Sequence, residues 1–456
     1  MKKTLMLMAL VASVNAYGGS IDYLAQQDAE YFAHPSMIGK IGTSGAFYNP
    51  AGTVFMEDGT YFKVNAQTIF KDYTMNTDYK GITGITDSVK DSHSSDYPSP
   101  MVPSFQFVKK DGDRSYFAHA GIAAGGGTVK YDNGISAFEF IGKGIEKKLP
   151  LMGLNGAEVN YLGGTTVEGS SFYYNINFGM AQKLNEKFSV AGGIRLIYAT
   201  RALEGSGNFE IDTNEKLPFK VPVNIALDAE REAYGVGGVI GFNYKPTDRL
   251  NIGFKYETEV ELDFEAKNGK NGLKTSTSKK LSEDKILGEL VNGAIGKIDG
   301  ELRKELVIRE WLEDGNRNLP AMMALGISYD MTDRLTLLAS GNYYFIEQAN
   351  EDHAYDNYTN GYEASIGFDY KLNEKYTLMA GYQYTNTGAN EGTYKDTDYA
   401  LDAHMYCVGM SYSPNETRKY TLSYGFVDYQ DGTSSATGTT FEKTVHTIGM
   451  SAEFKL

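Results

Sequence analysis

A strand–turn–strand unit recurs through the second half of the chain, and it constrains the fold more than any other feature. From Phe172 to Met180 large apolar side chains alternate with small or polar ones. The chain turns at Asn185-Glu186-Lys187 and alternates again from Phe188 to Ile194. The same polar turn returns at Thr247-Asp248-Arg249, Thr332-Asp333-Arg334, Asn373-Glu374-Lys375 and Asn415-Glu416-Thr417-Arg418-Lys419. Period-two alternation sends successive side chains to opposite faces of a sheet. One face here is Leu, Ile, Val, Phe and Tyr; the other is Gly, Ser, Thr, Asn and Asp. A sheet that is apolar outside and polar inside, repeated this often, suits a closed barrel in lipid better than a soluble sandwich.

The N-terminus sets the compartment. Lys2-Lys3 precedes an apolar run from Thr4 to Val14, and Val14-Asn15-Ala16 places small residues before a cut, so residues 1–16 read as a secretory signal and the mature chain as starting at Tyr17. The run is shorter than the roughly 20 residues of a spanning helix. No other uninterrupted apolar stretch approaches that length, and a mean hydropathy of −0.37 excludes a helical membrane protein. A barrel escapes hydropathy because only alternate residues meet lipid. The 34 Tyr and 23 Phe, against one Trp, are enough for aromatic girdles at both membrane interfaces. A lone Cys407 forbids an internal disulfide, so stability must come from elsewhere, and a closed sheet provides it. The net charge of −15 argues against nucleic acid as a partner.

Residues 17–56 lack alternation and read as a compact irregular segment. From Thr60 the pattern yields fourteen strands, near 60–75, 101–110, 115–130, 169–183, 187–204, 230–245, 249–264, 319–331, 334–349, 360–372, 375–388, 400–413, 418–430 and 441–456. Alternate connections are short, which assigns periplasmic turns to one rim and external loops to the other. On the tenth strand Tyr362, Ala364, Ile366, Phe368 and Tyr370 should face lipid, with Glu363, Ser365, Gly367 and Asp369 facing the lumen. On the eleventh, Tyr376, Leu378, Ala380, Tyr382 and Tyr384 should face out. The terminal strand ends at Phe454-Lys455-Leu456 and resembles an outer-membrane assembly signal, with the final aromatic displaced inward. It implies the barrel assembly machinery as a partner. Residues 281–312 break the pattern. Leu287, Leu290, Val291, Ala294, Ile295, Ile298, Leu302, Leu306 and Trp311 fall at helical spacing, predicting one amphipathic helix, or two broken near Gly296 or Gly300.

The chain resembles the long-chain fatty acid transporter family of outer-membrane proteins (FadL/TodX type). Asn49-Pro50-Ala51 follows the irregular segment and precedes the first strand, as in the family's luminal hatch. Leu319-Pro320-Ala321 through Asp330 is similar to the family's Pro-to-Gly-to-Tyr strand, and Tyr256 to Phe264 to its seventh strand. The helical insertion lies where the family places loops over the barrel mouth. The resemblance implies an all-β protein: a 14-stranded antiparallel transmembrane β-barrel over residues 57–456, with an N-terminal luminal hatch over 17–56 and a helical external loop over about 265–318. It implies passage of long-chain fatty acids or other hydrophobic small molecules across the outer membrane, passively, by a monomer lying in outer-membrane lipid.

A carboxylate on a hydrophobic cargo calls for a cation. Arg195 and Arg201 share a strand and have lumen parity, so each is a ligand candidate; the alternative is an ion pair with Glu363, Asp369 or Glu257. His119 also has lumen parity. The six His residues show no paired ligand spacing, so no metal is expected, and no cofactor is implied. Gly125-Gly126-Gly127 marks a kink in the third strand, which in the family opens a gap in the wall toward the bilayer; the alternative is a strand end feeding the next loop. Leu287, Leu290, Val291 and Ile295 offer either a landing groove for cargo, with loops 205–229 and 265–318, or a loop core. No nucleophile–base constellation is visible, so an enzyme is not expected. A porin-like channel for polar solutes and a surface adhesin or structural barrel are the rival readings.

Overall fold

The structure, a computed structural model, describes residues 27–80, 88–152, 154–163, 166–213, 219–285, 287–304, 306–349, 355–396 and 398–456. The expected signal over 1–16, the start of the expected hatch over 17–26, and His353 lie outside the described residues.

Fourteen long strands form the wall: β1 (Gly59–Tyr79), β2 (Ser99–Asp111), β3 (Arg114–Tyr131), β4 (Val167–Lys183), β5 (Phe188–Asp212), β6 (Val221–Thr247), β7 (Leu250–Glu257), β8 (Met322–Asp330), β9 (Leu335–Tyr344), β10 (Gly361–Lys371), β11 (Tyr376–Asn386), β12 (Ala403–Asn415), β13 (Arg418–Tyr429) and β14 (Thr439–Lys455). Each pairs antiparallel with the next. β14 returns to β1, from Tyr61↔Lys455 to Thr77↔Thr439, and closes the sheet. No helix among the described residues is long and apolar enough to cross a membrane.

The alternation sorts as its period demands. On β10 Tyr362, Ala364, Ile366, Phe368 and Tyr370 are exposed on the outer wall, while Glu363 and Ser365 are buried in the lumen. Ile176, Val236, Ile366, Val408, Leu422 and Met450 continue the apolar outer band. In water such a band would be an aggregation surface; in hydrocarbon it meets its own kind. The short turns on one rim are built by asparagine: the side-chain oxygens of Asn185, Asn373 and Asn415 accept from the backbone N–H groups of Lys187 (2.9 Å), Lys375 (2.9 Å) and Thr417 (3.1 Å).

The other rim departs from the sequence reading in four places. The expected loop 205–229 is mostly strand, because β5 and β6 stay paired from Gly205↔Leu227 to Ile211↔Val221. Its inner side chains Phe209, Ile211, Val223 and Ile225 are buried under loop structure, which makes the extension stable above the membrane. The expected strand 249–264 leaves the ladder after Glu257, because Gly235 and Gly237 of β6 leave room for Val260 to turn inward. Helix α1 (Ala137–Lys148) was not expected; it covers β5 through Phe138, Tyr161 and Phe209, with ring centroids 5.6 and 5.4 Å apart. Its signal, Phe138, Ile141 and Ile145 at helical spacing, was present in the sequence. The expected helix over 281–312 divides into a single turn at Lys279–Ser282, α2 (Gly288–Leu302) and α3 (Leu306–Leu312). α2 runs through Gly296 and Gly300 and breaks after Leu302 instead. Each glycine costs about 1 kcal/mol relative to alanine, offset by burial of Val291, Ile295, Ile298 and Leu302 on one stripe.

Residues 27–56 fill the lower lumen as three 3₁₀ segments, Ala29–Phe32, Thr43–Ala46 and Pro50–Phe55. The first lies in a groove made by lumen-facing glycines of successive strands. A Cβ at Gly381 would stand 2.8 Å from His34, at Gly409 2.5 Å from Ala33, and at Gly425 2.7 Å from Phe32. Overfilling such a contact costs about 1–3 kcal/mol, and the hatch is easier to move than the wall. Gly409→Leu is therefore expected to leave the barrel folded, judged by its heat-modifiable mobility on gels, and to convert a closed baseline in planar bilayers into resolved conducting events. A baseline that stays closed would show that the groove does not seat the hatch.

Candidate functional site

The lumen holds charge at three levels. At the lowest, hatch and wall exchange ion pairs. Lys63 of β1 meets Asp28 (2.8 Å) and Glu30 (2.9 Å). Lys40 meets Glu30 (2.8 Å) and Asp369 of β10 (2.8 Å). Lys419 of β13 also pairs with Glu30, and His34 Nε2 lies 2.9 Å from Asp369. With Glu453 of β14 3.9 Å from Lys63, four carboxylates thus face three ammonium groups. Burial alone would raise the Glu30 pKa, but Lys40, Lys419 and Lys63 together hold it well below the usual carboxylate range. Burial likewise works against a charged Lys40, and Asp369 and Glu30 overcome it, so its pKa is raised.

Asn49-Pro50-Ala51 is a capping device docked on the wall. Asn49 caps the segment Pro50–Phe55 by accepting from Gly52 N–H (3.0 Å), and Pro50 occupies the first helical position, where a missing N–H does no harm. The Asn49 Nδ2 donates to Asn243 of β6 (2.8 Å), and Asn251 of β7 donates to the Gly39 carbonyl (2.8 Å). Ser189 of β5 donates to the Ala51 carbonyl (2.6 Å). Pro50 and Ala51 lie against Gly241, where a Cβ would stand 3.2 Å from Pro50 and 3.4 Å from the Ala51 methyl group.

The middle level contains Arg195. It is buried, pairs with Glu257 (2.9 Å) and donates from Nε to Asn175 (3.3 Å). Lys255 also meets Glu257 (2.9 Å) and donates to the Phe47 carbonyl of the hatch (3.0 Å). His119 packs its ring against Phe47, with centroids 4.6 Å apart. Lys255 and His119 therefore meet the hatch at Phe47, with Arg195 tied behind them through Glu257 and Asn175.

Arg201 lies six residues further along β5, about 20 Å outward. It is only 1% exposed, with its guanidinium 5.4 Å from the Phe264 ring and 5.1 Å from the Trp311 ring of α3. Its direct cross-strand partner is Arg231 of β6, which faces Phe264 at 5.5 Å. Arg317 lies in the same chamber, paired with Asp398 (3.0 Å) and 5.1 Å from the Tyr355 ring; Tyr173 packs on Phe264. Glu310 lies within electrostatic reach of Arg201 and Arg231. Arg231 and Arg317 were not expected from sequence: Glu230-Arg231-Glu232 reads as solvated charge beside a loop.

Gly125-Gly126-Gly127 sits where the wall parts. β2 and β3 pair only from Asp111↔Arg114 to Phe105↔Ala120. Beyond that β3 pairs with β4 alone, with register shifts between Ile122 and Ala124 and between Ala124 and Gly127. Gly125 (φ +99°) and Gly127 (φ +72°) adopt left-handed conformations that other residues resist. Pro100 and Pro103 lie on the stretch of β2 that β3 leaves unpaired, as edge strands favour. Gln27 bridges the gap: its side chain donates to the Ile122 carbonyl, and its own carbonyl accepts from Ser104 (2.6 Å) and Gln106 (3.0 Å).

Of the candidate loop residues, Val291 and Ile295 are buried beneath α2, Leu287 is half-buried and Leu290 is exposed. The sequence candidates are thus distributed rather than gathered: hatch cap, upper chamber, side wall and outer surface. Among the described residues no group of three or more His, Cys, Asp or Glu is placed to hold a metal ion.

A closed fourteen-stranded barrel, apolar outside and filled by its own N-terminal segment, defines an outer-membrane transport protein. The chain belongs to the family described as outer membrane protein transport protein (OMPP1/FadL/TodX), whose model matches residues 158–454. It is 25% identical over 356 residues to outer membrane protein P1 of Haemophilus influenzae, covering 75% of this chain and 69% of that protein. Among solved structures it is similar to a Pseudomonas aeruginosa FadL homologue (TM-score 0.64, 16% identity, 94% of this chain and 98% of that one). It is also similar to the P. putida toluene transporter TodX (TM-score 0.58, 14% identity, 91% and 94%). At such identities the fold is what is shared. Members of the family are transport channels, not enzymes, and the protein resides in the outer membrane.

The ion cluster sets a pH dependence. The folded pKa of Glu30 lies below its ordinary 4.5, so its pairing stabilises the seated hatch above that value and is lost as pH falls through the depressed one. The closed baseline should persist from about pH 8 to about pH 5 and fail only at strongly acidic pH. Lys63→Met leaves four carboxylates facing two ammonium groups. Breaking a buried pair costs about 3–5 kcal/mol, so protease cleavage within the hatch should rise and the acidic opening should move to higher pH. An unchanged pH profile in this variant would remove the cluster as the lock.

Proposed function

We propose that the protein carries long-chain fatty acids, or other hydrophobic molecules bearing an acidic head, across the outer membrane by passive, hatch-gated diffusion. The observation that carries this reading is the direct register pairing of Arg201 with Arg231 inside an aromatic chamber. Like charges opposite one another in a ladder repel; Glu310, within electrostatic reach of both, already answers part of that repulsion. A carboxylate between two planar, permanently charged forks relieves that repulsion, while Phe264, Trp311, Tyr173 and Tyr355 suit the chain that follows it.

In this reading cargo lands on the external loops, with the exposed Leu290 and half-exposed Leu287 presenting apolar surface. It passes below α2 and α3 into the arginine chamber. Arg195, already paired with Glu257, orients the hatch rather than the cargo. A shift of the Asn49-Pro50-Ala51 cap then frees the path, and the parted wall at Gly125–Gly127 lets the chain leave toward the bilayer. A segment that fills the lower lumen weighs against a porin-like open pore. TodX is described as a toluene transporter, and a neutral hydrocarbon would have no use for the arginine pair.

The test is saturable binding of a fluorescent long-chain fatty acid to detergent-folded protein. Arg201→Met and Arg231→Met keep side-chain bulk and should each weaken binding about tenfold, or about 1.4 kcal/mol. Arg195→Met should change it far less. Binding indifferent to both chamber variants would exclude an acidic head group at this site.

A further inference from the structure

The lipid side of the wall carries a groove across β2–β5, near the rim of short turns. It encloses about 650 Å³; Phe107, Tyr116, Phe178, Met180 and Ile194 wall it, over a floor at Ala118 and Gly192. The register explains its depth. Ala118 stands opposite both Phe107 and Phe178, and Gly192 opposite Met180, so small residues are framed by large ones. A Cβ at Gly192 would meet nothing within 4 Å, so the space above it is open. Two cations stand at the periplasmic end of the groove. Lys109 is the register partner of Tyr116, and Arg114 lies two residues before Tyr116 on the same outward face. Both are exposed. Arg114 donates from Nε to Gln182 of β4 (3.0 Å), which holds the guanidinium over the groove. Asp58 takes the neighbouring Lys110 (2.6 Å). Among the described residues no carboxylate pairs with Lys109 or Arg114, although Asp111 stands opposite Arg114 in the register.

We propose that this groove holds an acyl chain of one anionic phospholipid from the periplasmic leaflet, with its phosphate bound by Lys109 and Arg114. Any apolar patch of the wall meets lipid chains, but a groove walled on both sides gives a chain contacts that a smooth patch lacks. The head supplies the selectivity. A guanidinium fits phosphate oxygens two at a time and an ammonium adds a point charge, and basic residues beside apolar surface draw anionic lipids. A second outer-wall groove, floored by Ala339, Gly341 and Ala364, opens toward Tyr384, whose hydroxyl donates to Asp402 (3.2 Å). With a carboxylate at its head, that groove offers an anionic lipid nothing. A second copy of the chain is a poorer occupant of the first groove, because a two-fold axis along the membrane normal would bring both pairs of cations together. The site lies on the outside of the barrel, so it does not depend on which cargo the lumen carries.

The experiment is native mass spectrometry of the full detergent-folded chain, titrated with phosphatidylglycerol or with phosphatidylcholine of identical chains. The wild type should retain one phosphatidylglycerol in preference to phosphatidylcholine. Lys109→Gln and Arg114→Gln should each reduce that preference about fivefold, as the attraction of one basic residue to an anionic membrane implies, and the double variant should be indifferent to the head group. Gly192→Leu extends into the open space and should displace the retained lipid of either kind, with heat-modifiable mobility unchanged; if it does not assemble, Gly192→Val takes its place. Equal retention of the two lipids by the wild type, or a preference untouched in the double variant, overturns the head-group assignment. Retention that survives filling at Gly192 overturns the groove as its seat. A dimer that retains no lipid and is lost in Gly192→Leu overturns the proposal and makes the groove an interface between copies.

Discussion

Closure of the sheet is the constraint from which the rest follows. In hydrocarbon an unpaired backbone group has no water to turn to, so a wall of strands is viable only when the last pairs with the first. The seventeen-residue register of β1 with β14, from Tyr61↔Lys455 to Thr77↔Thr439, meets that condition. Once it is met, the wall has no edge and its interior becomes a sealed polar cylinder that must be filled or flooded. This chain fills it, with residues 27–56 below and with α3, Phe264 and Leu262 above. The interruptions of the ladder then become informative, because each costs hydrogen bonds that closure would have supplied. The gap between β2 and β3 is one, and the inward turn after Glu257 is another.

Charge changes character along the cylinder. Near the periplasmic rim four carboxylates meet three ammonium groups and His34, with short contacts between hatch and wall. Such a cluster contributes little net stability over an apolar replacement, but it is costly to break by halves, which suits a lock. In the middle, Arg195 and Lys255 share Glu257. Toward the outside, Arg201, Arg231 and Arg317 crowd together over aromatic rings with Asp398 and Glu310 as counter-charge. In the proposed transport, a negative cargo entering from outside would leave an excess of positive charge for a region where carboxylates match or outnumber the cations.

The wall was legible in the sequence because its signal is periodic and local. The facing of β10 and β11 follows residue by residue from alternation, and so does the lumen parity of Arg195, Arg201 and His119. The upper rim was less legible. Loop 205–229 looked polar because the outward half of an extended hairpin above the membrane is solvated, and only the buried half, Phe209, Ile211, Val223 and Ile225, keeps the period. The break after Glu257 depends on the absence of side chains at Gly235 and Gly237, two positions away in space and more than twenty in sequence. The partners of Arg201 were hidden for the same reason: register places Arg231 opposite it, thirty residues further along the chain. Asn49-Pro50-Ala51 was recognisable, but its physical role as a helix cap hydrogen-bonded to Asn243 is a property of the assembled barrel.

The two ways out of the lumen differ in what they must break. Moving the hatch along the axis separates Glu30 from Lys63 and Lys419, Asp28 from Lys63, and Asp369 from Lys40 and His34, and it strips Asn49 from Asn243. Each buried ionic contact broken singly is worth about 3–5 kcal/mol. Parting β2 from β3 breaks the bonds of Gln27 to Ile122, Ser104 and Gln106 and those of Lys71 to Gly126 and Thr128. All of these end on neutral carbonyls. A neutral hydrogen bond is worth about 0.5–1.5 kcal/mol net, and one with a charged partner about 1.5–3. The ladder at that gap is already interrupted, so no strand pairing is lost in addition. In the proposed transport, with proteins of marginal stability, sideways release would be the cheaper motion for an apolar chain, and it would deliver that chain to a medium in which it dissolves.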